Sequence, residues 1–354
     1  MFPRREGLPQ RPAPLPALAG ALICLVLVKS GFLAPLFLVP LGVLAYSWNS
    51  GTAWVSAAFV LLGNGIYTLG TGLFWRRDSG FPAVSSPGEL PAAFLQTLPE
   101  WLYLTVMVLG FTWLTAPLLR KGRGRRIPAV YRLTAASVAG ALAVVPVLRA
   151  LKNDNGIYQL LRSQAEAAVS LYASSPDAAV QSLLERISPE WILETLGSIA
   201  LRGGAAASCM ALFYFNRQAA LILTWFIRKT RPGGGIVRFH TDFWLIWVFS
   251  FAFLGVLGGT VWRIPPLEIG AWNILVLCAI LYLAQGAGIL LYFLSRLAMP
   301  PFLRFLVHFL IILVLFSPKV NVFALGALAL LGVAENWVPF RALHPNGSSS
   351  TPGT

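Results

Sequence analysis

Asn216 and Arg217 stand in Tyr214-Phe215-Asn216-Arg217-Gln218, near the middle of an apolar block at 205–227. A charged side chain at the centre of a bilayer costs about 2.5–3.5 kcal/mol on insertion scales, so it needs a reason to be there. The guanidinium can face a polar cavity and hold an anionic group, with the Asn216 amide beside it. Alternatively the helix crosses at residues 194–214, and Arg217 reaches the headgroups. Asn273, Tyr282 and Gln285 lie on a later apolar block, in Trp272-Asn273 and Tyr282-Leu283-Ala284-Gln285-Gly286. Buried amides want hydrogen bonds. These could line a solute path or join helices to one another. Asn273 and Gln285 are twelve residues apart, about 18 Å along a helix axis.

Glu335, Asn336 and Trp337 close the last apolar block, with Arg341 just beyond. Glu335 can pair with Arg341 or with a basic loop, and Trp337 suits a membrane–water interface. Small residues recur four apart: Ala13, Ala17 and Ala21 early in the chain, and Gly255 and Gly259 later. That spacing lets helices approach closely, so Ala17, Ala21, Gly255 and Gly259 are expected at packing faces.

Catalytic patterns are absent from the sequence. There is no phosphate-binding G-x-x-x-x-G-K-[ST], no H-E-x-x-H, no G-x-S-x-G and no carboxylate pair inside an apolar block. Cys24, Cys209 and Cys278 all lie in apolar sequence without C-x-x-C spacing, and His240, His308 and His344 are far apart. Neither a disulfide framework nor a metal site follows. No catalytic residue, cofactor or metal is expected, and the chain carries no motif that would drive primary transport by itself.

These residues must be positioned by elements measured against a hydrocarbon core about 30 Å thick, which roughly 20 helical residues cross. That ruler gives apolar spans at 13–28, 32–48, 52–75, 98–119, 129–150, 205–227, 242–261, 270–295, 302–316 and 319–338. The first follows Arg4, Arg5 and Arg11 but lacks a small-residue cleavage site, so it reads as an uncleaved span. Residues 151–191 form the longest polar segment and read as two amphipathic helices. Ile157, Leu160 and Leu161 give a stripe for the first; Val180, Leu183, Leu184 and Ile187 repeat it. Ser175-Pro176 and Ser188-Pro189 are both cap-and-proline helix starts. The last two spans are short, which leaves room for a hairpin that only partly crosses.

Composition agrees with this reading. The chain of 354 residues is 57% hydrophobic and 11% charged, with a mean hydropathy of +0.71. A soluble domain is nearer 45–50% apolar and about 25% charged. The net charge of +14 sits mainly in short loops such as Lys121-Gly-Arg123-Gly-Arg125-Arg126 and Arg228-Lys229-Thr-Arg231. That distribution fits cytoplasmic loops and attraction to anionic headgroups, not nucleic-acid binding. With the N-terminus in the cytoplasm, ten of the thirteen acids fall outside, and Arg76 and Arg77 are the main exceptions.

The C-terminal third resembles the YybS-type family of bacterial inner-membrane proteins, whose function is unknown. The resemblance rests on Phe239-His240-Thr241-Asp242-Phe243-Trp244, on Trp272-Asn273 with Leu281-Tyr282-Leu283-Ala284-Gln285-Gly286, and on the run from Leu331-Gly332 through Glu335-Asn336-Trp337 to Arg341. The family shows an Asn and Tyr-x-x-Gln-Gly on one late helix and ends in Leu-Gly-x-x-Asp-x-Trp-x-x-x-Arg. Glu335 stands where the Asp is usual, and Asn216-Arg217 falls where the family has an Asn near a basic residue. The family is distantly similar to the substrate-capture components of energy-coupling-factor transporters. That similarity implies a solute bound from outside and docking on a separate membrane ATPase module through small residues, here Ala17 and Ala21. Those components have about six spans, fewer than are expected here.

The expected architecture is an all-α polytopic transmembrane helix bundle of about 8–10 spans with an extracytoplasmic amphipathic pair. It divides into 1–150 (about five spans), 151–191 (the pair), 192–343 (about five spans) and a disordered tail at 344–354. The expected location is the bacterial inner membrane, both termini cytoplasmic. The expected role is non-enzymatic: solute capture or transport with Asn216, Arg217, Asn273, Tyr282 and Gln285 as lining. The alternative is an envelope scaffold that recruits partner proteins.

Overall fold

Many large apolar side chains point outward from the helices, while Ala, Gly, Ser and Thr sit beside buried Leu, Met and Phe at the contacts between them. Leu22, Ile23 and Val26 on one helix, Trp247, Phe251 and Leu254 on another, and Phe323 and Leu330 on a third are all exposed. Ala17, Ala21, Ala53, Ala57, Ser56 and Thr52 are buried. Soluble proteins rarely expose contiguous apolar patches of this kind, whereas helices that pack in lipid use small residues at their contacts.

The computed structural model describes residues 11–74, 90–116, 128–153, 155–173, 187–229, 239–297, 299–317 and 320–341. Among the described residues every regular element is a helix and no strand occurs. Three segments are long and apolar enough to cross a membrane, by length and composition: Ala129–Arg149, Pro189–Arg228 and Pro265–Arg296. Pro14–Lys29, Ala34–Ser47, Leu245–Val261 and Val320–Ala334 are shorter apolar helices. The second amphipathic helix expected after Ser175, and the tail from His344, lie outside the described residues.

The chain forms two compact units, Met1–Pro232 and Gly233–Thr354. In the first, α1 (Pro14–Lys29), α2 (Val39–Ser47), α3 (Ser50–Phe74), α4 (Leu90–Thr115), α5 (Ala129–Asn153), α6 (Asn155–Ala173), α7 (Pro189–Ile199) and α8 (Ala205–Arg228) follow in order. Helix α1 packs on α3, α3 on α4, α4 on α5, and both α5 and α2 on α8. Their shared core includes Cys24, Leu38, Leu41, Val60, Met107, Phe111 and Phe213. The Phe111 and Phe213 rings lie 6.1 Å apart.

Two features depart from simple spans. A helix over 32–48 is expected, but only Val39–Ser47 is α-helical, preceded by a turn at Gly31 and one 3-10 turn at Ala34–Leu36. Pro35 and Pro40 cannot supply backbone N–H donors, which is why the chain breaks there. The long helix after residue 188 starts as its sequence indicates: Ser188 accepts from the Trp191 N–H at 3.1 Å, with Pro189 in the first turn. It then kinks at Ala200–Gly204, where Gly203 takes φ +113°. Side chains rarely adopt that conformation, so the kink depends on glycine. Before the kink, α6 and α7 are joined by Arg162, which pairs with Glu166 at 3.0 Å and Glu190 at 2.9 Å.

The second unit holds α9 (Leu245–Val261), α10 (Pro265–Arg296), α11 (Pro301–Phe316) and α12 (Val320–Ala334). Helix α10 packs on both α9 and α12. A Cβ added at Gly255 would meet the Ala271 Cβ at 2.9 Å, and one at Gly259 would meet the Glu268 backbone at 2.7 Å. Both glycines therefore face α10. The α10–α12 crossing is closer still: a Cβ on Gly286 would fall on the Leu328 carbonyl, and one on Gly332 on the Tyr282 carbonyl. Backbone meets backbone at this point.

Candidate functional site

In the second unit, three stretches separated by 40 to 100 residues of sequence meet in one polar network. Gln285 on α10 is wholly buried. Its Oε1 accepts from the Thr241 backbone N–H at 2.8 Å and from the Thr241 hydroxyl, and its Nε2 donates to the Gly332 carbonyl at 3.1 Å. One amide thus ties the segment before α9 to α10 and α12. The close Gly286–Gly332 crossing is what brings that carbonyl within reach.

Glu335 and Arg341 form a bidentate pair after α12. Arg341 Nε donates to Glu335 Oε1 at 2.6 Å and Nη2 donates to Oε2. The Glu335 side chain is 4% exposed and that of Arg341 16%. Arg341 Nη2 also donates to the Phe239 carbonyl at 2.8 Å, and the Tyr292 hydroxyl donates to the Arg341 carbonyl at 3.1 Å. His240 Nδ1 lies 3.7 Å from Glu335 Oε2, on the exposed side. The pair therefore clamps the segment that follows α12 to the stretch that enters α9. Planar guanidinium and carboxylate match each other's geometry, which makes this the strongest kind of side-chain pairing.

Tyr282, one turn before Gln285, is fully buried and stacks edge-on against Phe249 at 5.9 Å. Its hydroxyl lies close to the Asn336 side chain, yet neither that hydroxyl nor Asn336 Oδ1 makes a well-formed hydrogen bond. Asn336 Nδ2 donates to the Val333 carbonyl at 2.9 Å, and Trp337 is exposed. Asn273 donates to the Ile269 carbonyl of its own helix at 2.8 Å. It stands roughly 18 Å along α10 from Gln285, so the network does not include it.

Asn216 belongs to the first unit and is wholly buried. Its Oδ1 accepts from the Leu38 N–H at 3.1 Å, and its Nδ2 donates to the carbonyls of Pro35 at 2.7 Å and Leu212 at 2.8 Å. The amide thereby satisfies backbone groups freed where the chain breaks between α1 and α2. Irregular backbone within apolar surroundings persists only when such groups find partners. Arg217, the next residue, is half-buried and lies within electrostatic reach of Arg132 on α5. Ala17 and Ala21 are buried on α1; Ala21 packs with Ala57 and Val60 of α3.

The structure thus brings together Tyr282, Gln285, Glu335, Asn336 and Arg341, and keeps Asn216 in a separate joint within its own unit. Tyr292 and Arg132 stand outside every motif read from the sequence, and Thr241 and Gly332 figure there only as members of the resemblance motifs. Arg132 carries a signal that was readable: it is a cation inside the apolar block 129–150. The Gly332 carbonyl carries none, since any residue has one. Among the described residues no group of three or more His, Cys, Asp or Glu side chains could hold a metal ion. Cys24, Cys209 and Cys278 are free and buried. Compared with family models, curated proteins and solved structures, the chain matches none.

Proposed function

We propose that this chain is a non-enzymatic polytopic protein of the bacterial inner membrane, with about eight to ten spans and both termini cytoplasmic. Its role in this reading is that of an envelope scaffold whose basic loops and outer segments recruit partner proteins. Helices α3 and α4, at 25 and 26 residues, add to the three long apolar segments as candidate crossings. The observation that carries the scaffold reading is the use made of the buried amides. Asn216 and Gln285 each make three hydrogen bonds to this chain's own groups. Polar groups already satisfied in this way serve as joints between helices and have little left to offer a solute. Ala17 and Ala21, which would dock a coupling module, are covered by the protein's own helices.

Solute capture with a separate ATPase is the second reading. It is favoured by the Tyr282 hydroxyl and Asn336 Oδ1, buried polar atoms that a small polar solute would satisfy. Native mass spectrometry of the protein released from its membranes in mild detergent separates the two. The scaffold reading expects no water-soluble molecule on the wild-type chain, and expects Gln285→Leu to lower stability without changing the bound mass. A solute held at one copy per chain, and lost in Gln285→Leu or Tyr282→Phe, would replace scaffold by capture.

A further inference from the structure

Arg132 stands three residues into α5 and reaches back to the end of α4. Its Nη1 donates to the carbonyls of Trp113 at 3.0 Å and Leu114 at 2.8 Å. These belong to the last turn of α4, where carbonyls lack partners within the helix. Its Nε is different: it is buried and has no hydrogen-bond partner. A buried, unpartnered donor on a cation is costly.

A second guanidinium stands near the first. Gly140 of α5 meets Cys209 of α8, and Ala136 and Phe213 meet at Gly110, so the two helices run antiparallel and the next turn brings Arg217 to the level of Arg132. Its charge opposes that of Arg132, and Tyr46 of α2 is also within electrostatic reach. Arg217 makes no ion pair with any described carboxylate. The described acids of this unit are engaged or distant. Glu100 pairs with Lys29, and Glu166 and Glu190 pair with Arg162. Glu194 lies on α7, beyond the kink, with about 18 Å of α8 between that kink and Arg217.

Two cations from different helices, an unused buried N–H and no described counter-charge define an anion's place. Guanidinium forks match phosphate oxygens, and a shared anion turns mutual repulsion into attraction for both. We propose that Arg132 and Arg217 together bind a phosphate-bearing anion at the end of the first unit where α4 stops and α5 begins. Its source is either an anionic phospholipid headgroup or a soluble phosphate compound. The chemistry is the same for both, and the site stands independently of the scaffold reading.

The test uses the full-length protein in a neutral detergent, titrated with phosphatidylglycerol in one arm and inorganic phosphate in the other. The readouts are the thermal unfolding midpoint and the bound mass by native mass spectrometry. At least one probe is expected to raise the wild-type midpoint saturably, and Arg217→Gln to need about tenfold more of it, the equivalent of one charge-assisted contact. Arg149→Gln, an exposed cation elsewhere on α5, is expected to titrate like the wild type. A response to lipid alone assigns a headgroup; a response to phosphate without lipid assigns a soluble compound. If Arg217→Gln does not fold, Arg217→Lys keeps the charge without the fork and is judged by the same weakening. The proposal is overturned if neither probe shifts the wild type, or if the Arg217 and Arg149 variants respond alike.

Discussion

Replacing Glu335 by Gln removes one charge and leaves the side chain's shape, and the network around it makes the consequence calculable. An exposed ion pair contributes about 0–1 kcal/mol. This pair is not exposed: the carboxylate side chain is 4% accessible and takes both prongs of a guanidinium that is 16% accessible. Removing one partner of such a pair leaves a buried charge uncompensated, which costs about 3–5 kcal/mol. His240 contributes little, because it is exposed and stands 3.7 Å from the carboxylate. Arg341 keeps its bond to the Phe239 carbonyl, which sets the expectation near the lower limit, about 3 kcal/mol. Arg341→Met should cost a similar amount. The double variant Glu335→Leu/Arg341→Met should cost less than the sum of the single variants by about 2 kcal/mol or more. Reversible unfolding in mixed micelles, read by tryptophan fluorescence as the denaturing detergent fraction rises, gives these values. Single-variant costs below about 1 kcal/mol, adding without coupling in the double variant, would refute the reasoning that this pair is shielded from solvent.

Three further outcomes follow from the geometry. Asn216→Ala should destabilise the first unit by about 2–3 kcal/mol, since the Leu38 N–H and the Pro35 carbonyl lose their partner. Asn216→Asp should be worse, because a carboxylate would face the Pro35 and Leu212 carbonyls; unfolding of both variants checks the order. Gly286→Ala should cost about 1–3 kcal/mol by driving a methyl into the Leu328 backbone, and hydrogen exchange should report loosening of α10 and α12 while α5 stays protected. Gly203→Ala should cost about 1–3 kcal/mol through its positive φ, measurable as a lower unfolding midpoint.

Much of the fold was legible because helix length and apolar content are local properties. The Ser188-Pro189 start was readable because a hydroxyl can accept a first-turn N–H while proline, lacking that donor, fits the first helical turn. The break before α2 was harder to see. An apolar run with two prolines fits a kinked span as well as a half-length helix, and Asn216, 178 residues away from Leu38, makes the second possible. The candidate residues show the same division. Polar side chains in apolar sequence identify themselves by their cost, so Gln285, Asn216, Glu335 and Arg341 could be named in advance. Their partners are largely backbone carbonyls and N–H groups, which have no sequence signature. Glu335 is the sole acid near the end of the last span, so the sequence offers Arg341 or a basic loop as its partner, and the structure pairs it with Arg341. The links to Phe239 and Thr241 depend on how α9, α10 and α12 pack, which spacing alone does not specify.

The account depends on lipid being the solvent for these outward-facing apolar helices, with the arginine-rich turns on one side and the acid-rich segments on the other. Epitope tags placed singly within residues 121–126 and within 163–170 of the full chain, probed with antibody in right-side-out and inside-out membrane vesicles, test this directly. The first tag should be reached only in inside-out vesicles and the second only in right-side-out vesicles. Access to both tags from the same side would contradict the threading on which the proposed role stands.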